Sequence, residues 1–140
     1  HLQIKGDTMN ANEPTFFPKM QAKLSALWIF VLLNILFRDI HELGRPGMLE
    51  EMMNSNVSEE LFLFAAIFLQ IPLSMVILSQ LLPPHINRWA NIIAGALAIV
   101  SVIVAGPADL DDYFFAGVEI VALLTIIWFA WRWRTAQEVI

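Results

Sequence analysis

Glu119 is the residue in this chain whose chemistry most needs explaining. It sits inside the apolar stretch DLDDYFFAGVEIVALLTIIWFAWRWR, which opens on three aspartates, Asp109, Asp111 and Asp112, and closes on Arg132 and Arg134. A carboxylate within a run of that length and polarity is expensive to bury and is read first as a candidate site for ligand, proton or catalysis. A second group of polar residues closes the first apolar run, at Asn34, Arg38, Asp39, His41 and Glu42. Helical spacing places Asn34, Arg38 and His41 on one face, with Glu42 one turn beyond Arg38. Gln70 lies near the middle of the next apolar run, two residues before Pro72. Arg38 is the one cation expected at a depth that could answer Glu119, so an Arg38–Glu119 pair is expected, with Asn34, Asp39, His41 and Gln70 as contributors to the same cluster.

Three chemistries compete for that cluster. It could be an ion pair that fixes helix register. It could line a polar cavity that binds a small molecule, a lipid or a proton, as in a subunit of a proton-coupled small transporter. Or Glu119 or Asp39 could serve as acid or base in an intramembrane enzyme. The last has least support, and no residue is assigned as catalytic: the sequence holds no histidine pair suited to haem or metal, no serine elbow, no glycine-rich phosphate loop and no arginine cluster for lipid phosphate chemistry. No metal and no cofactor are expected. The reading is of a non-enzymatic protein whose ligand, if it has one, is not specified by the sequence.

The elements that must hold these residues follow from hydropathy. Of the 140 residues, 58% are hydrophobic and 15% charged, and the mean hydropathy is +0.64. Soluble domains run nearer 45–50% apolar and about 25% charged, so the composition is that of a membrane protein. About 20 residues at about 1.5 Å each cross a bilayer core, and four such runs are present, at about 24–42, 59–82, 87–106 and 110–133. The expected fold is therefore all-α, a four-helix transmembrane bundle occupying 23–134. Residues 1–22 are expected as a leader and tail, with 1–8 foreign to the protein because Met9 is the first plausible start, and 135–140 as a second tail. Gly44-Arg45-Pro46-Gly47, Pro83-Pro84 and Gly106-Pro107 separate the runs. A short amphipathic turn is expected at MLEEMM, an N-cap at Asp109 with Asp112 at capping-box distance, and a kink at Pro72.

Lys19, Lys23, Arg88, Arg132 and Arg134 fall on one side of that arrangement, and Arg45 on the other. The excess of basic residues places both termini in the cytoplasm, and all five tryptophans fall in the same inner halves. Counting along the helices from the outer rim puts Arg38 about 6 Å in, Glu119 about 10 Å and Asn34 and Gln70 about 12–15 Å. Ser101 joins more weakly. The polar groups are thus expected to gather in the outer half, above an inner half of nearly pure hydrocarbon. Ala90, Ala94 and Ala98, with Gly95, repeat at four-residue spacing, which suits a packing face inside the bundle or a homo-oligomer contact. Membrane lipid is the expected surrounding partner. The net charge of −5, with the acidic groups clustered in short loops, argues against nucleic acid, and the lack of cysteine removes disulfide and thiolate-metal chemistry.

KLSALWIFVLLN in the first span, FLQIPLSMVILSQLL in the second, NRWANIIAG entering the third and YFFAGVEIVALLTIIWFAWRW in the fourth together resemble a bacterial family of small four-helix membrane proteins with no assigned function, domain of unknown function six-three-two-six. NRWANIIAG is the most specific of these. The resemblance implies the four-helix architecture and the bacterial cytoplasmic membrane, and it implies no activity. The family pattern often has a glutamate just before Ile-Pro, where this chain has Gln70, so two intramembrane carboxylates acting together are not implied here. The outline also resembles the DoxX-like proteins and the small multidrug-resistance transporters, but the latter carry their essential carboxylate in the first helix and this chain does not.

Overall fold

The computed structural model describes residues 19–133. Residues 1–18 of the expected leader and tail, and residues 134–140, Arg134 included, lie outside them, whereas residues 20–22 of that expected tail are helical. Among the described residues the chain is all helical, with four long helices and one short one: α1 Met20–Leu43, α2 Met48–Asn54, α3 Glu59–Leu81, α4 Pro84–Ala105 and α5 Leu110–Arg132. Each long helix is long and apolar enough to cross a membrane. α1 begins four residues before the expected start at 24, because nothing in MQAK opposes a helix once the first turn is set. The MLEEMM segment forms the full two turns of α2.

Local chemistry sets the boundaries. Gly47 takes φ 81 at the start of α2, and Gly106 takes φ 66 between α4 and α5. An L side chain would be strained at either turn. The Ser58 Oγ accepts from the Leu61 N–H, capping α3, and Glu59 and Glu60 occupy its first turn, where carboxylates favour the positive helix end. Pro84 opens α4 at a position where its missing N–H costs nothing. α3 runs through Pro72 without a break in the helix.

Residues 82–83 and 106–109 are the short turns after α3 and α4, and residues 44–58, with α2 among them, join α1 to α3 at one end of the bundle, so successive long helices run antiparallel. One end of the bundle, here the terminal end, carries Met20, the α3–α4 turn and Arg132. The distal end carries α2 and the α4–α5 turn. The core lies mostly toward the terminal end: Leu24, Trp28 and Val31 of α1, Met75 of α3, Ala94 and Ala98 of α4, and Ala122, Leu123 and Ile126 of α5. Large apolar side chains face outward around the bundle, Phe62, Phe64, Ile103 and Val121 among them. Such a surface suits a lipid solvent and not water.

Packing is uneven along α3 and tight between α4 and α5. α3 buries only Pro72, Met75 and Ser79, whereas every residue from 59 to 70 is exposed. Its terminal half is bound into the bundle and its distal half stands off. The small-residue face of α4 is used inside the bundle, with Ala94, Gly95 and Ala98 buried. A Cβ on Gly95 would fall 2.8 Å from Ile127 Cγ1 of α5, while one on Gly117 would meet nothing within 4 Å. Gly95→Ala is therefore expected to lose about 1 kcal/mol net, overpacking outweighing the helix-propensity gain. Gly117→Ala is expected to gain up to about 1 kcal/mol. Unfolding of both variants in one detergent measures the contrast, and equal effects would contradict the close α4–α5 approach.

Candidate functional site

At the distal end α1 is joined to α5 by a ladder of polar contacts. Outermost, Arg45 bonds Asp109 (2.7 Å) and Asp111 and lies 3.5 Å from Glu42. Desolvation works against its charge, but Asp109, Asp111 and Glu42 together hold the guanidinium above its ordinary pKa. One turn in, His41 Nε2 lies 3.1 Å from an Asp111 oxygen, with its ring against Phe115. Next, Arg38 Nη1 lies 3.9 Å from Glu119 Oε2. Innermost, the Asn34 amide donates to the Phe115 carbonyl at 3.0 Å. The spacing of Asn34, Arg38 and His41 on one helical face is what brings all three to α5.

The Arg45 contacts alter the expected capping of α5. Asp109 is the N-cap residue but makes no side-chain cap bond, because its carboxylate turns to Arg45. The Asp112 carboxylate instead accepts from the Ala108 N–H at 3.4 Å. Glu42, Asp109 and Asp112 lie close enough to share a cation, with the Arg45 guanidinium already bonded among them.

Where the distal half of α3 stands off, a cavity of about 470 Å³ is left between it and the other three long helices. Its walls are mostly apolar, from Val31 and Ile35 of α1, Phe62, Leu69 and Ile71 of α3 and Val102 of α4. Ala65, Ala66, Ala98 and Ala105 keep the walls thin, and Arg38, Asp39, Ser101 and Glu119 supply the polar lining. Ser101 donates to the Ala98 carbonyl of its own helix. Asp39 is exposed and faces the cavity from beside Arg38. Glu119 is 3% exposed, yet its Oε2 accepts no hydrogen bond, since 3.9 Å to Arg38 is beyond hydrogen-bond reach.

Gln70 does not belong with this group, a correction to the expected cluster. It is exposed and does not line the cavity, although Leu69 and Ile71 on either side do. Depth along a helix is fixed by residue count, but direction around it is not, and Gln70 points outward.

A second correction concerns the terminal half, which is not nearly pure hydrocarbon. A buried network joins α1, α3 and α4 there. Trp28 Nε1 and Ser79 Oγ both donate to Asn91 Oδ1, at 2.7 and 3.2 Å. The Asn91 amide donates to the Asn87 carbonyl and to Asn87 Oδ1, at 2.9 and 2.6 Å. Asn87 in turn donates to the Ser79 carbonyl at 2.6 Å. Beside it, Gln80 donates to Ser25 Oγ, and Ser25 donates to the Val76 carbonyl. The signal for this network is Asn87 and Asn91 at i,i+4 in NRWANIIAG, interleaved with alanines that by themselves account for a packing face. At the same end Arg88 donates to the Ala130 and Trp131 carbonyls, closing the C-terminus of α5, and lies over the rings of Trp89 and Trp131.

A model of a family of unknown function, DUF6326, matches residues 15–139. No curated protein and no solved structure matches the chain.

Proposed function

The chain belongs to DUF6326, a family of unknown function, and from that premise we propose that it is a small, non-enzymatic integral membrane protein of the bacterial cytoplasmic membrane that binds a membrane-dissolved molecule in its distal cleft. Lys19, Lys23, Arg88 and Arg132 lie at the terminal end, which the positive-inside rule puts in the cytoplasm. The cleft then lies in the outer half of the bilayer. The observation that carries the reading is the cavity itself: apolar walls, a polar patch of Arg38, Asp39 and Glu119, and a buried carboxylate oxygen without a hydrogen bond. Small-molecule sites of about 300–1,000 Å³ commonly have this make-up, largely apolar with a few placed polar groups.

The stand-off of α3 makes entry from the bilayer the natural route, because Phe62, Ala65, Ala66 and Leu69, which line the cleft, are all exposed. The packed terminal half weighs against a continuous proton-coupled pathway: Leu24, Trp28, Leu123 and Ile126 are fully buried below the cleft.

Filling the cleft tests the proposal. Wild-type protein released from nanodiscs into native mass spectrometry is expected to retain a bound amphiphile. Ala66→Trp, which places an indole in the cavity from its exposed wall, is expected to abolish that adduct while leaving the melting temperature within a few degrees. A wild-type protein that is bare under conditions where annular lipid is also stripped would refute the cleft as a binding site.

A further inference from the structure

We propose that the cleft selects a lipophilic amine, a molecule with an apolar body and a protonated nitrogen bearing N–H groups, held by Glu119 with Asp39 beside it. The inference rests on the cleft being a binding site and concerns what it takes.

Two independent observations point to this class. The ionisable residues that line the cavity are one guanidinium, Arg38, and two carboxylates, Asp39 and Glu119. With all three ionised the lining carries one net negative charge, which favours a cation. Separately, the buried Oε2 of Glu119 lacks a donor, and the nearest cation is 3.9 Å away. A protonated amine supplies both the charge and the missing N–H, and charge-assisted hydrogen bonds are the strong ones. An anionic amphiphile could reach Arg38 but would face both carboxylates. A neutral alcohol could donate to Glu119 but would gain nothing from the net charge. The apolar walls from Phe62, Leu69, Ile71 and Val102 accept an alkyl or aromatic body in every case, so the polar end decides among them.

The amine could be free in the bilayer or could be the headgroup of an aminophospholipid, and one experiment addresses both. The full chain is placed in nanodiscs of phosphatidylcholine and phosphatidylglycerol. Retention of radiolabelled dodecylamine, dodecanol and dodecanoate is measured above that of empty nanodiscs. Dodecylamine is expected to bind about tenfold or more tighter than the other two, the order expected of one hydrogen bond to a charged group. The preference is expected to be lost in Glu119→Gln and reduced in Asp39→Asn, with folding of each checked by its melting temperature. Adding phosphatidylethanolamine to the nanodisc separates the sources: displacement of dodecylamine identifies the headgroup and its persistence identifies a free amine, and both support the class. Equal retention of the three probes, or preference for dodecanoate, overturns the amine while leaving the cleft as a binding site. Retention of none of them by the wild-type protein overturns both.

Discussion

Asn91→Ala is expected to destabilise the bundle by about 3 kcal/mol, the largest loss from any single polar side chain in it. Asn91 is fully buried, and its amide is the node at which three helices meet. Its oxygen accepts from Trp28 of α1 and Ser79 of α3, and its nitrogen donates to Asn87 on its own helix. Truncation leaves the indole N–H, the serine hydroxyl and the Asn87 oxygen without their partner. Each buried unmet group costs about 1–3 kcal/mol in water-soluble proteins. Interhelical bonds within membranes average about 0.6 and reach about 1.7 kcal/mol, so the sum is set near 3 and not higher. Gln70→Ala is the matched control, an amide in the same bundle that is exposed and makes no such contact, and a change within about 0.5 kcal/mol is expected for it. Reversible unfolding of both variants in one detergent decides the matter. Equal midpoints for Asn91→Ala and Gln70→Ala would show that the network does not hold the helices.

The two polar clusters differ in a way that bears on their roles. In the terminal network donors and acceptors are matched around Asn87 and Asn91, and Trp28, Ser79, Asn87 and Asn91 are all sealed from solvent and lipid. That is the condition under which a buried polar network specifies a fold. Around the cleft the matching fails: Glu119 is buried as Asn91 is, yet one of its oxygens has no donor. Structural polar groups end up satisfied because an unmet one costs stability. Two rim carboxylate oxygens, of Glu42 and Asp111, also lack a hydrogen bond, but Arg45 and His41 lie 3.5 and 3.1 Å from them; on the binding proposal, the Glu119 oxygen beside the cavity is the one left for a partner that comes and goes. The same contrast explains why α3 can stand off at one end. Ser79 and Gln80, together with the Val76 carbonyl, tie its terminal half to α1 and α4, while its distal half makes no hydrogen bond to them among the described residues.

Much of this architecture is legible from residue order, and the parts that are not share a cause. Four apolar runs bounded by proline and glycine fix four helices, because length and hydropathy are properties of a segment alone. Short connections align the helix ends, so counting inward places Arg38 and Glu119 at matching depth. Azimuth is different. Whether Gln70 faces its neighbours depends on how α3 packs, and packing is a property of pairs of helices. The stand-off of α3, and with it the cavity, is invisible for the same reason, since its distal half is as apolar as any packed helix. Asn87 and Asn91 stand in plain view at i,i+4, but Ala90, Ala94 and Gly95 beside them give an equally good account of that face. At the rim, its position before α5 marks Asp109 as a cap, and Arg45, distant in sequence, draws its carboxylate away.

Arg38 and Glu119 carry the second large expectation, because the same pair can be structural or can serve binding and the two differ in the sign of one substitution. If the contact were an optimised ion pair, Arg38→Met and Glu119→Gln would each cost about 3–5 kcal/mol, the usual penalty for breaking a buried pair. The geometry points elsewhere. At 3.9 Å the two groups make no hydrogen bond, and Arg38 remains about a quarter exposed, with Asp39 beside it to answer its charge. Glu119→Gln therefore removes a poorly solvated carboxylate and is expected to be neutral or stabilising by up to about 1 kcal/mol. Arg38→Met removes the one nearby cation and strands that carboxylate, and is expected to cost about 2–3 kcal/mol, less than a sealed site because the cleft can admit water or the group can neutralise. In the double variant the stranded charge is gone, so Glu119→Gln should stabilise the Arg38→Met background by about 1–2 kcal/mol more than it stabilises wild type, and that excess is the coupling that a double-mutant cycle reads. A Glu119→Gln variant that is at least as stable as wild type and yet loses its amphiphile identifies the carboxylate as kept for binding at some expense in stability. A Glu119→Gln variant as damaged as Arg38→Met would instead make the pair part of the scaffold, and the polar lining of the cleft would then lose its central acceptor.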